Sequence, residues 1–583
     1  MPMPRPEYPR PILVRPDWQN LNGSWCFIED ARNVGLSERW FSEGLPKNAK
    51  SIQVPFPVES EASSIHNVEP ALVVWYSREF TLAKHWDKRV CLRFGACDFW
   101  TRVFVNGQEV GQHRGGYTPF SFDIDHALVS GINEIVVRVE DSLSWTQPRG
   151  KQAGNTRWPI DYDSVTGLWQ TVWLEHLAAI SIESTHSVFD LETSALTYTA
   201  FFSKQIEGEL SVELMQAGVL VGNQQVDTGL RSEARVIFQI DGPLLWSPES
   251  PVLYDIKMTL TNRFTGEVDQ ALSYTGLRQV EVRNGSLLLN GKELFLKGIL
   301  DQGYFPGGWY TALNDNDIRR DVELTMEMGF NCARKHQKAE DPRYLYWADK
   351  LGLLVWAEMP SGKIFSTELV QALVTEWSDL IKRDRAHPCI MAWVPFNESW
   401  GVWHQSSRPE QRAFVDGVVG ITRAMDVSRP IVGNDGWEFS SGDLWTLHLY
   451  LDQKNLTQRL KELMGQPQSS VVEGNGMRSR AGALEGADVS RLPVLLTECG
   501  GVGYGRFSDA DFSYGELPKT ETELQSAIEE IAQMILAASQ LQGFVWTQLT
   551  DVQQEVNGLL YFDRTPKLPI KTLHSIISSI GEK

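Results

Sequence analysis

Residues 1–178 carry short runs in which apolar and polar positions alternate, with turn dipeptides between the runs. In RVFVNGQEVGQH, Asn106-Gly107 separates two such runs, which predicts a two-residue β-hairpin. Further along, Ile135, Val137 and Val139 repeat at every second position, as a strand with one buried face requires. This pattern predicts antiparallel β-structure for the first region of the chain.

A second β-rich region covers residues 179–283. Its runs LSVELM (from Leu210) and ARVIFQI (from Ala234) have the length and spacing of strands in a small sandwich. We therefore expect a second β-domain between the first region and residue 284.

Over residues 284–583 the pattern changes to apolar runs that alternate with helical segments. Asp341-Pro342 supplies a capping side chain and a first-turn proline, and Gly352 supplies a stop. Eight apolar runs predict a (β/α)8 barrel. These runs are ELFLKGIL (from Glu293), FNCARKH (from Phe330), LLVWAEMP (from Leu353), IMAWVPFNES (from Ile390), PIVGND (from Pro430), LWTLHLY (from Leu444), PVLLTECG (from Pro493) and GFVWTQLTD (from Gly543).

Composition and charge exclude several classes of protein. The 583 residues, 42% hydrophobic and 22% charged, can form several cores, and no apolar run reaches the roughly 18 residues that span a bilayer. The 54 basic and 74 acidic residues give a formal charge of -20, which disfavours nucleic acid and membrane partners. The start, MPMPRPEYPRPIL, lacks the apolar stretch of a signal peptide, so we expect a cytoplasmic protein.

Cysteine and tryptophan content add two expectations. The six cysteines show neither a C-x-x-C pair nor zinc-ligand spacing, so we expect buried free thiols. We expect no metal site and no cofactor, because no acidic cluster demands a cation, but a requirement for Mg²⁺ or Na⁺ stays open. The 21 tryptophans modestly favour a carbohydrate protein, because aromatic faces pack on the C–H faces of sugars.

Two carboxylates stand where a barrel places its chemistry, at the C-terminal ends of strands. Glu398 ends the fourth apolar run and Glu498 ends the seventh, on opposite sides of the barrel mouth. Glu358 ends the third run, but a Met-Pro turn follows and it has no strong claim. Two carboxyls about 5 to 5.5 Å apart are typical of a retaining glycosidase, in which one attacks the anomeric carbon and the other protonates the leaving oxygen.

The chain resembles glycoside hydrolase family 2 along nearly its whole length. The motifs that carry the resemblance are FNESWG (from Phe396), the Thr497-Glu498 strand end, GFNCARKH followed by DPRYLYWADKLGLLVW, DFWTRVFVNGQEVGQHRGGYTPFSFDI and SVTGLWQTVWLE. The resemblance implies a jelly-roll sugar-binding β-sandwich over 1–178, an immunoglobulin-like β-sandwich over 179–283 and a catalytic TIM barrel over 284–583.

The same resemblance implies roles for individual residues. Glu498 would be the nucleophile, Glu398 the acid/base, and Asn397 a partner of the sugar's 2-hydroxyl. Arg334 matches an arginine that keeps the nucleophile ionised. The remaining substrate-binding residues implied are His336 and His448 in the glycone pocket, Tyr450 as a hydrogen-bond partner of the nucleophile, Trp546 as the pocket floor, and Asp161 as a residue from the first domain. Either histidine could instead be hydrogen-bonded core, and the tryptophan could be packing.

One departure from the family bears on the substrate. Members that act on β-glucuronides carry Asn-x-Lys after strand eight to bind the sugar carboxylate, whereas this chain has Glu555 and Asn557 there. A glutamate would repel that carboxylate, which favours a neutral sugar. A cation from Arg506, Arg564 or Lys567 would reverse this expectation.

We therefore expect a retaining exo-β-glycosidase for a neutral sugar, with β-galactosides first because they are the family's most frequent substrates. Activity as a β-glucuronidase, a β-mannosidase, or a galactofuranosidase or arabinofuranosidase stays open. The alternative of another class is a catalytically silent carbohydrate-binding protein, and the intact Asn397, Glu398 and Glu498 speak against it. The expected partner is an oligosaccharide or glycoside, and a homo-oligomer stays open.

Overall fold

The computed structural model describes residues 2–82, 89–450, 455–469, 471–472, 480–505, 511–514 and 517–581. Two β-sandwiches precede a barrel with parallel strands, which confirms the predicted fold class. None of the helices in these ranges is both long and apolar enough to cross a bilayer.

The first sandwich packs a six-stranded sheet, in the order β3-β2-β4-β10-β7-β8, against a four-stranded sheet, in the order β1-β12-β5-β9. Its elements are β1 (Trp18–Asn20), β2 (Gly23–Glu29), α1 (Trp40–Glu43), β3 (Lys50–Val54), a 3-10 turn (Glu61–Ser63), β4 (Val73–Phe80), β5 (Arg89–Phe94), β6 (Cys97–Asp98), β7 (Trp100–Val105), β8 (Gln108–Arg114), β9 (Phe120–Asp123), a 3-10 turn (Asp125–Ala127), β10 (Asn133–Glu140), β11 (Gly167–Leu168) and β12 (Val172–Leu177).

The predicted hairpin joins β7 to β8. Asn106 and Gly107 have φ angles of 49° and 79°, the left-handed pair that a two-residue hairpin turn requires. The side chains of Ile135, Val137 and Val139 on β10 are fully buried, as predicted. Cys26 contradicts the expectation of buried thiols: it is exposed, because strand alternation turns it outward from β2, and the other five cysteines are buried.

The second sandwich has sheets in the orders β13-β14-β17 and β16-β15-β20-β21. LSVELM lies in β15 and ARVIFQI extends through β17, as predicted. The strands are β13 (Ile182–Asp190), β14 (Ala195–Ile206), β15 (Gly208–Gln216), β16 (Val219–Asp227), β17 (Arg231–Gln239), β18 (Trp246–Ser247), β19 (Ser250–Pro251), β20 (Tyr254–Asn262) and β21 (Val268–Thr275).

The barrel follows a small antiparallel sheet of β22 (Val280–Arg283), β23 (Ser286–Leu289) and β24 (Lys292–Glu293). Its strands and helices are β25 (Leu296–Asp301), α2 (Asp315–Glu327), β26 (Cys332–Lys335), α3 (Pro342–Leu351), β27 (Leu354–Glu358), α4 (Thr367–Asp384), β28 (Ile390–Val394), α5 (Pro409–Met425), β29 (Trp445–His448), α6 (Leu456–Gly465), β30 (Val471–Val472), β31 (Arg480–Ala481), β32 (Val494–Gly500), α7 (Glu521–Ala537), β33 (Leu541–Thr547) and α8 (Ile570–Ser579). The helix signals are confirmed, since Asp341 caps α3 and Gly352 ends it at φ 92°.

Seven of the eight predicted runs form one parallel sheet, in the order β28-β27-β26-β25-β33-β32-β29. The fifth run, PIVGND, joins the fourth only through parallel bridges at Ile431 and Asp435. Pro430 has no N–H to donate to a ladder. Val432 N–H donates to the Trp393 carbonyl of the fourth run at 2.9 Å, and Val432 also pairs antiparallel with Gly442. The fifth position of the barrel is therefore irregular, although Asp435 still reaches the mouth.

The first sandwich is packed directly against the barrel mouth. Tyr117, Tyr162 and Trp169 of the sandwich belong to the same buried cluster as Tyr310 and Trp356 of the barrel. The loop after β10 is fixed by this contact, and it places side chains of the first region beside the strand ends of the barrel.

Candidate active site

The turn after β28 presents the first of the two predicted carboxylates. Glu398 and Ser399 both have left-handed φ angles, 50° and 56°, which residues other than glycine rarely adopt. Two hydrogen bonds hold them there: Glu398 N–H donates to the Asp435 carbonyl at 2.9 Å, and Ser399 N–H donates to Asn434 Oδ1 at 2.9 Å. The fourth and fifth runs of the barrel thus fix the position of Glu398 together.

Glu398 and Glu498 meet across the barrel mouth. A carboxylate oxygen of each lies within 4.8 Å of the other, and both side chains are buried. A general acid and a general base that activates a water molecule lie about 6.5 to 9.5 Å apart. A nucleophile and its acid/base partner lie about 5 to 5.5 Å apart. The observed separation fits the second arrangement.

The surroundings of Glu498 favour its ionised form. Burial alone would raise the pKa of Glu498, but the charges of His448, Arg334 and His336 and a hydrogen bond from Tyr450 lower it. Arg334 Nη1 lies 3.2 Å from one oxygen, and the Tyr450 hydroxyl donates to the other at 2.7 Å. These contacts therefore favour a carboxylate anion at Glu498.

The surroundings of Glu398 favour its protonated form. Burial and then the negative charge of Glu498 raise the pKa of Glu398, and His448 only partly opposes them. The pKa values of these two neighbouring carboxyls are thus moved in opposite directions. Such a difference indicates which group of a pair can donate a proton and which stays ionised.

His448 lies between the two carboxylates. Its Nδ1 is 2.8 Å from Glu398 and 3.5 Å from Glu498, while Nε2 is 3.0 Å from Asp435. Burial lowers the pKa of His448, but the charges of Glu498 and Asp435 and the bond to Glu398 raise it to about 10. A charged imidazolium therefore links the pair.

Arg334 is fully buried and organises the strand ends. Its guanidinium lies 2.8 Å from Glu358, 2.6 Å from Asp435 and 3.2 Å from Glu498. It also donates to Asn397 Oδ1 at 2.5 Å, which leaves Asn397 Nδ2 without a protein partner among the described residues. That amide is free to donate to a bound ligand beside the carboxylates.

Glu358, for which the sequence gives no strong claim, also lies at the barrel mouth. Besides Arg334, it contacts His336 Nδ1 at 3.1 Å and accepts the Gln337 N–H at 3.0 Å. The Met-Pro turn does not remove Glu358 from the mouth, because the turn begins after the carboxylate has already been placed by β27. His336 reaches the strand ends through this contact.

Two further residues at the mouth were missed. Asp435 also accepts a bond from Thr497 at 2.9 Å, and its position at the end of the fifth apolar run was a usable signal. Tyr514 stacks on Tyr450 with ring centroids 4.0 Å apart and an interplanar angle of 9°. Nothing in the sequence pattern marked Tyr514, because it lies outside the strand ends.

Trp546 has a different environment from the polar residues. It is fully buried in the second hydrophobic cluster, and its ring lies against Gly500, where an added Cβ would be only 2.5 Å from the indole. Among the described residues its Nε1 has no hydrogen-bond partner. The ring thus packs below the Glu498 strand end.

Asp161 reaches the barrel, but not the two carboxylates. Its carboxylate accepts the Trp158 N–H at 2.8 Å and forms an ion pair with Lys363 from the loop after β27. Lys363 Nζ also lies 4.3 Å from the centre of the Trp158 ring and 5.4 Å from that of Trp400. Burial lowers the pKa of Lys363 to about 8, against the opposing charge of Asp161.

Glu555 and Asn557 are both buried, and Glu555 contacts the loop after β10. Glu555 lies 3.0 Å from Lys151 Nζ and accepts a hydrogen bond from the Tyr162 hydroxyl, both from the first sandwich. Asn557 Oδ1 accepts from Gln548 at 2.7 Å.

The cations considered in the sequence analysis are engaged elsewhere or lie outside the described residues. Arg564 pairs with Asp321 at 2.8 Å and Lys567 pairs with Asp551 at 2.6 Å. Arg506 is outside the described ranges. The lysines near the mouth, Lys151 and Lys363, were missed because they lie in loops whose packing no local pattern reveals.

Three potential metal ligands also meet at this point. Within the described part of the chain, Glu398, His448 and Glu498 form the one such group with donor atoms within 4.8 Å of one another. Arg334, 3.2 Å from Glu498, adds a competing positive charge.

Comparison with known proteins places this geometry in a family. The family model for the sugar binding domain of glycosyl hydrolases family 2 matches residues 18–178, the general family 2 model matches 188–278, and the TIM barrel domain model matches 280–471. The chain belongs to glycosyl hydrolase family 2. The family predicted from the sequence motifs is confirmed.

Relatives of this family 2 chain have more than one activity. It is 28% identical over 435 residues to a β-galactosidase of Thermoanaerobacter pseudethanolicus, covering 72% of this chain but only 55% of that relative. It is 26% identical over 469 residues to a β-glucuronidase of Paenibacillus borealis, covering 73% and 74%. The chain thus spans about half the length of the β-galactosidase it matches.

A solved structure shares the fold over almost the whole chain. The β-glucuronidase from Ruminococcus gnavus in complex with D-glucuronic acid superposes with a TM-score of 0.80, 21% identity, and coverage of 98% of this chain and 100% of that one. At this identity the likeness concerns the fold.

Proposed function

We propose that this family 2 chain is a retaining exo-β-glycosidase that acts by double displacement. Glu498 attacks the anomeric carbon, and Glu398 first protonates the leaving oxygen and then deprotonates water. The observation that carries the proposal is the buried Glu398–Glu498 pair, with oxygens within 4.8 Å and pKa values moved in opposite directions. The free amide of Asn397 would hold the sugar's 2-hydroxyl.

The remaining site residues would support this pair. Arg334 and Tyr450 keep the nucleophile ionised, His448 links the two carboxylates, and His336 is held at the glycone side by Glu358. Trp546 would shape the floor below Glu498. Asp161 would act indirectly, because it binds Lys363 and the Trp158 N–H at the edge of the mouth.

A neutral glycone fits the charges beside Glu555 best. A β-glucuronide must bury a carboxylate, and both lysines near the mouth, Lys151 and Lys363, are already neutralised by carboxylates. We place β-galactosides first among neutral sugars, supported by the β-galactosidase relative. β-Glucuronidase is the second candidate, supported by the glucuronidase relatives and by the two buried lysines themselves.

A panel of nitrophenyl glycosides tests this proposal. We expect kcat/KM for the best neutral β-glycoside to exceed that for the β-glucuronide at least about a hundredfold, or about 2.7 kcal/mol. β-Mannosides, β-galactofuranosides and arabinofuranosides belong in the panel, and the Glu498→Ala variant sets the background. Comparable rates on the glucuronide would move β-glucuronidase to the front, and no activity on any glycoside would favour a carbohydrate-binding protein.

A further inference from the structure

Lys151 and Glu555 form a buried ion pair between two domains. Lys151 lies in the loop after β10 of the first sandwich, and Glu555 lies after β33 of the barrel. The Nζ–Oε2 distance is 3.0 Å, and only 3% of Lys151 and 1% of Glu555 are exposed. The Tyr162 hydroxyl donates to the same glutamate oxygen. Neither charge takes part in the double displacement proposed above.

Two stacked aromatic rings, those of Tyr514 and Tyr450, lie on the route from this ion pair to Glu498. Tyr514 stacks on Tyr450, whose hydroxyl contacts Glu498 at 2.7 Å. Phe512 forms a parallel bridge with Glu555, and its ring lies 4.8 Å from the ring of Tyr514, which connects the ion pair to the stacked tyrosines. The Lys151–Glu555 pair therefore lies beside the aromatic wall that Tyr514 and Tyr450 form next to Glu498.

The charge of this wall depends on Glu555 alone. A buried ammonium is unfavourable without a counter-charge, and Glu555 is its only carboxylate partner among the described ion pairs. Without the negative charge of Glu555, an anionic group that enters the pocket would take its place beside Lys151.

We propose that Glu555 determines specificity by neutralising Lys151, and that without its charge the pocket binds carboxylates and accepts β-uronides. This inference rests on the proposed neutral preference of the wild-type enzyme. Glu555 is then the buried carboxylate that excludes anionic sugars. Lys151 of the first sandwich is the cation that would bind them when the charge of Glu555 is removed.

The kinetic test compares Glu555→Gln with the double variant Glu555→Gln/Lys151→Met. The ratio of kcat/KM for the β-glucuronide to that for the best neutral glycoside should rise at least about tenfold in the single variant. In the matched double variant, which lacks the cation, the ratio should return to within about threefold of the wild type. An unchanged ratio in the single variant, or an equal rise in both variants, would overturn the inference.

The wild-type measurement separates this inference from the proposed function. Comparable wild-type rates on glucuronide and neutral glycoside would overturn the neutral preference, and the inference with it. A selective wild type with an unchanged Glu555→Gln ratio would overturn the inference alone.

A binding test does not depend on catalysis. Glu555→Ala leaves room for a small carboxylate beside Lys151, so added formate should raise its thermal midpoint. Formate should not stabilise the wild type or Glu555→Ala/Lys151→Met, where either the room or the cation is missing. Equal effects on all three proteins, or no effect on Glu555→Ala, would contradict a carboxylate site at Lys151.

Discussion

At the scale of single residues, Glu398 and Glu498 differ in what surrounds them rather than in what they are. Glu498 has Arg334 and Tyr450 within 3.2 Å, which stabilise its charge. Glu398 faces that charge and has a hydrogen bond only from His448 among its described side-chain contacts. These contacts are the reason for proposing Glu498 as the nucleophile and Glu398 as the acid/base.

Replacing either carboxylate should remove most of kcat, but with different consequences. Azide should restore turnover to Glu498→Ala and give the inverted product, because the small anion fits where the nucleophile was. Glu398→Ala should lose far more activity on poor leaving groups than on nitrophenyl glycosides, because only poor ones need the acid. Both variants should keep the wild-type circular dichroism spectrum, and activity within a few-fold of wild type in either would refute the assignment.

The hydroxyl of Tyr450 should set the acid limb of the pH profile. Its bond lowers the pKa of Glu498, so Tyr450→Phe raises that pKa, and activity is lost at higher pH on the acid side. A hydrogen bond to a charged group is worth about 1.5–3 kcal/mol, so we expect the acid limb of kcat/KM to move by about one to two pH units. The basic limb, which reports Glu398, should stay in place. An unmoved acid limb would show that Tyr450 does not act on the nucleophile.

At the scale of elements, strand ends explain both what the sequence predicted and what it did not. Glu398 and Glu498 were found because each ends an apolar run of the barrel, whereas Arg334 was found only through the family resemblance. The same strand-end rule could have predicted Asp435 at the mouth. It did not, because the run PIVGND forms isolated bridges and no regular strand. Lys151 and Glu555 lie in two loops 404 positions apart in the sequence. A periodic pattern of apolar residues cannot predict a contact between them.

Helix α4 connects the barrel to the first sandwich through a buried carboxyl. Glu376 accepts the N–H groups of Gly116 at 3.0 Å and Tyr117 at 3.2 Å. Burial, opposed by these bonds, raises the pKa of Glu376 to about 8. The folded protein therefore retains a proton that the unfolded chain loses near its usual pKa of about 4.3.

This proton makes stability fall as pH rises. Between about pH 4.5 and 8 the unfolded state binds fewer protons at Glu376, so the free energy of unfolding decreases by up to about 1.4 kcal/mol per pH unit. Glu376→Gln removes the titration, and its thermal midpoint relative to wild type should rise from pH 5 to pH 8. Glu368→Gln on the same helix is the matched control, because its exposed carboxylate pairs with Arg114 and its pKa is lowered. A parallel pH trend for Glu376→Gln and wild type would contradict this account.

At the scale of the whole molecule, the domain order matters because the first sandwich helps to build the barrel mouth. Lys151 and Asp161 pair with Glu555 and Lys363 of the barrel, and all four side chains are buried. The family resemblance predicted this order of domains and a contribution from Asp161. It did not predict that Asp161 would be neutralised by a lysine of the barrel.

The formal charge of -20 should affect how substrates arrive. A β-glucuronide is repelled over about a Debye length, so its kcat/KM should rise when salt screens the surface, while that of a neutral glycoside stays constant. Measuring both between about 20 and 200 mM salt checks this expectation. A glucuronide rate that falls with salt would indicate attraction by a local cation.

The stereochemistry of hydrolysis tests the central claim most directly. If Glu498 forms a covalent intermediate and Glu398 then activates water, a β-glycoside must release the β-anomer first. Proton NMR of the anomeric signals during the first minutes of hydrolysis distinguishes the two anomers before mutarotation mixes them. We predict that the β-anomer appears first, and first release of the α-anomer would contradict double displacement by the Glu398–Glu498 pair.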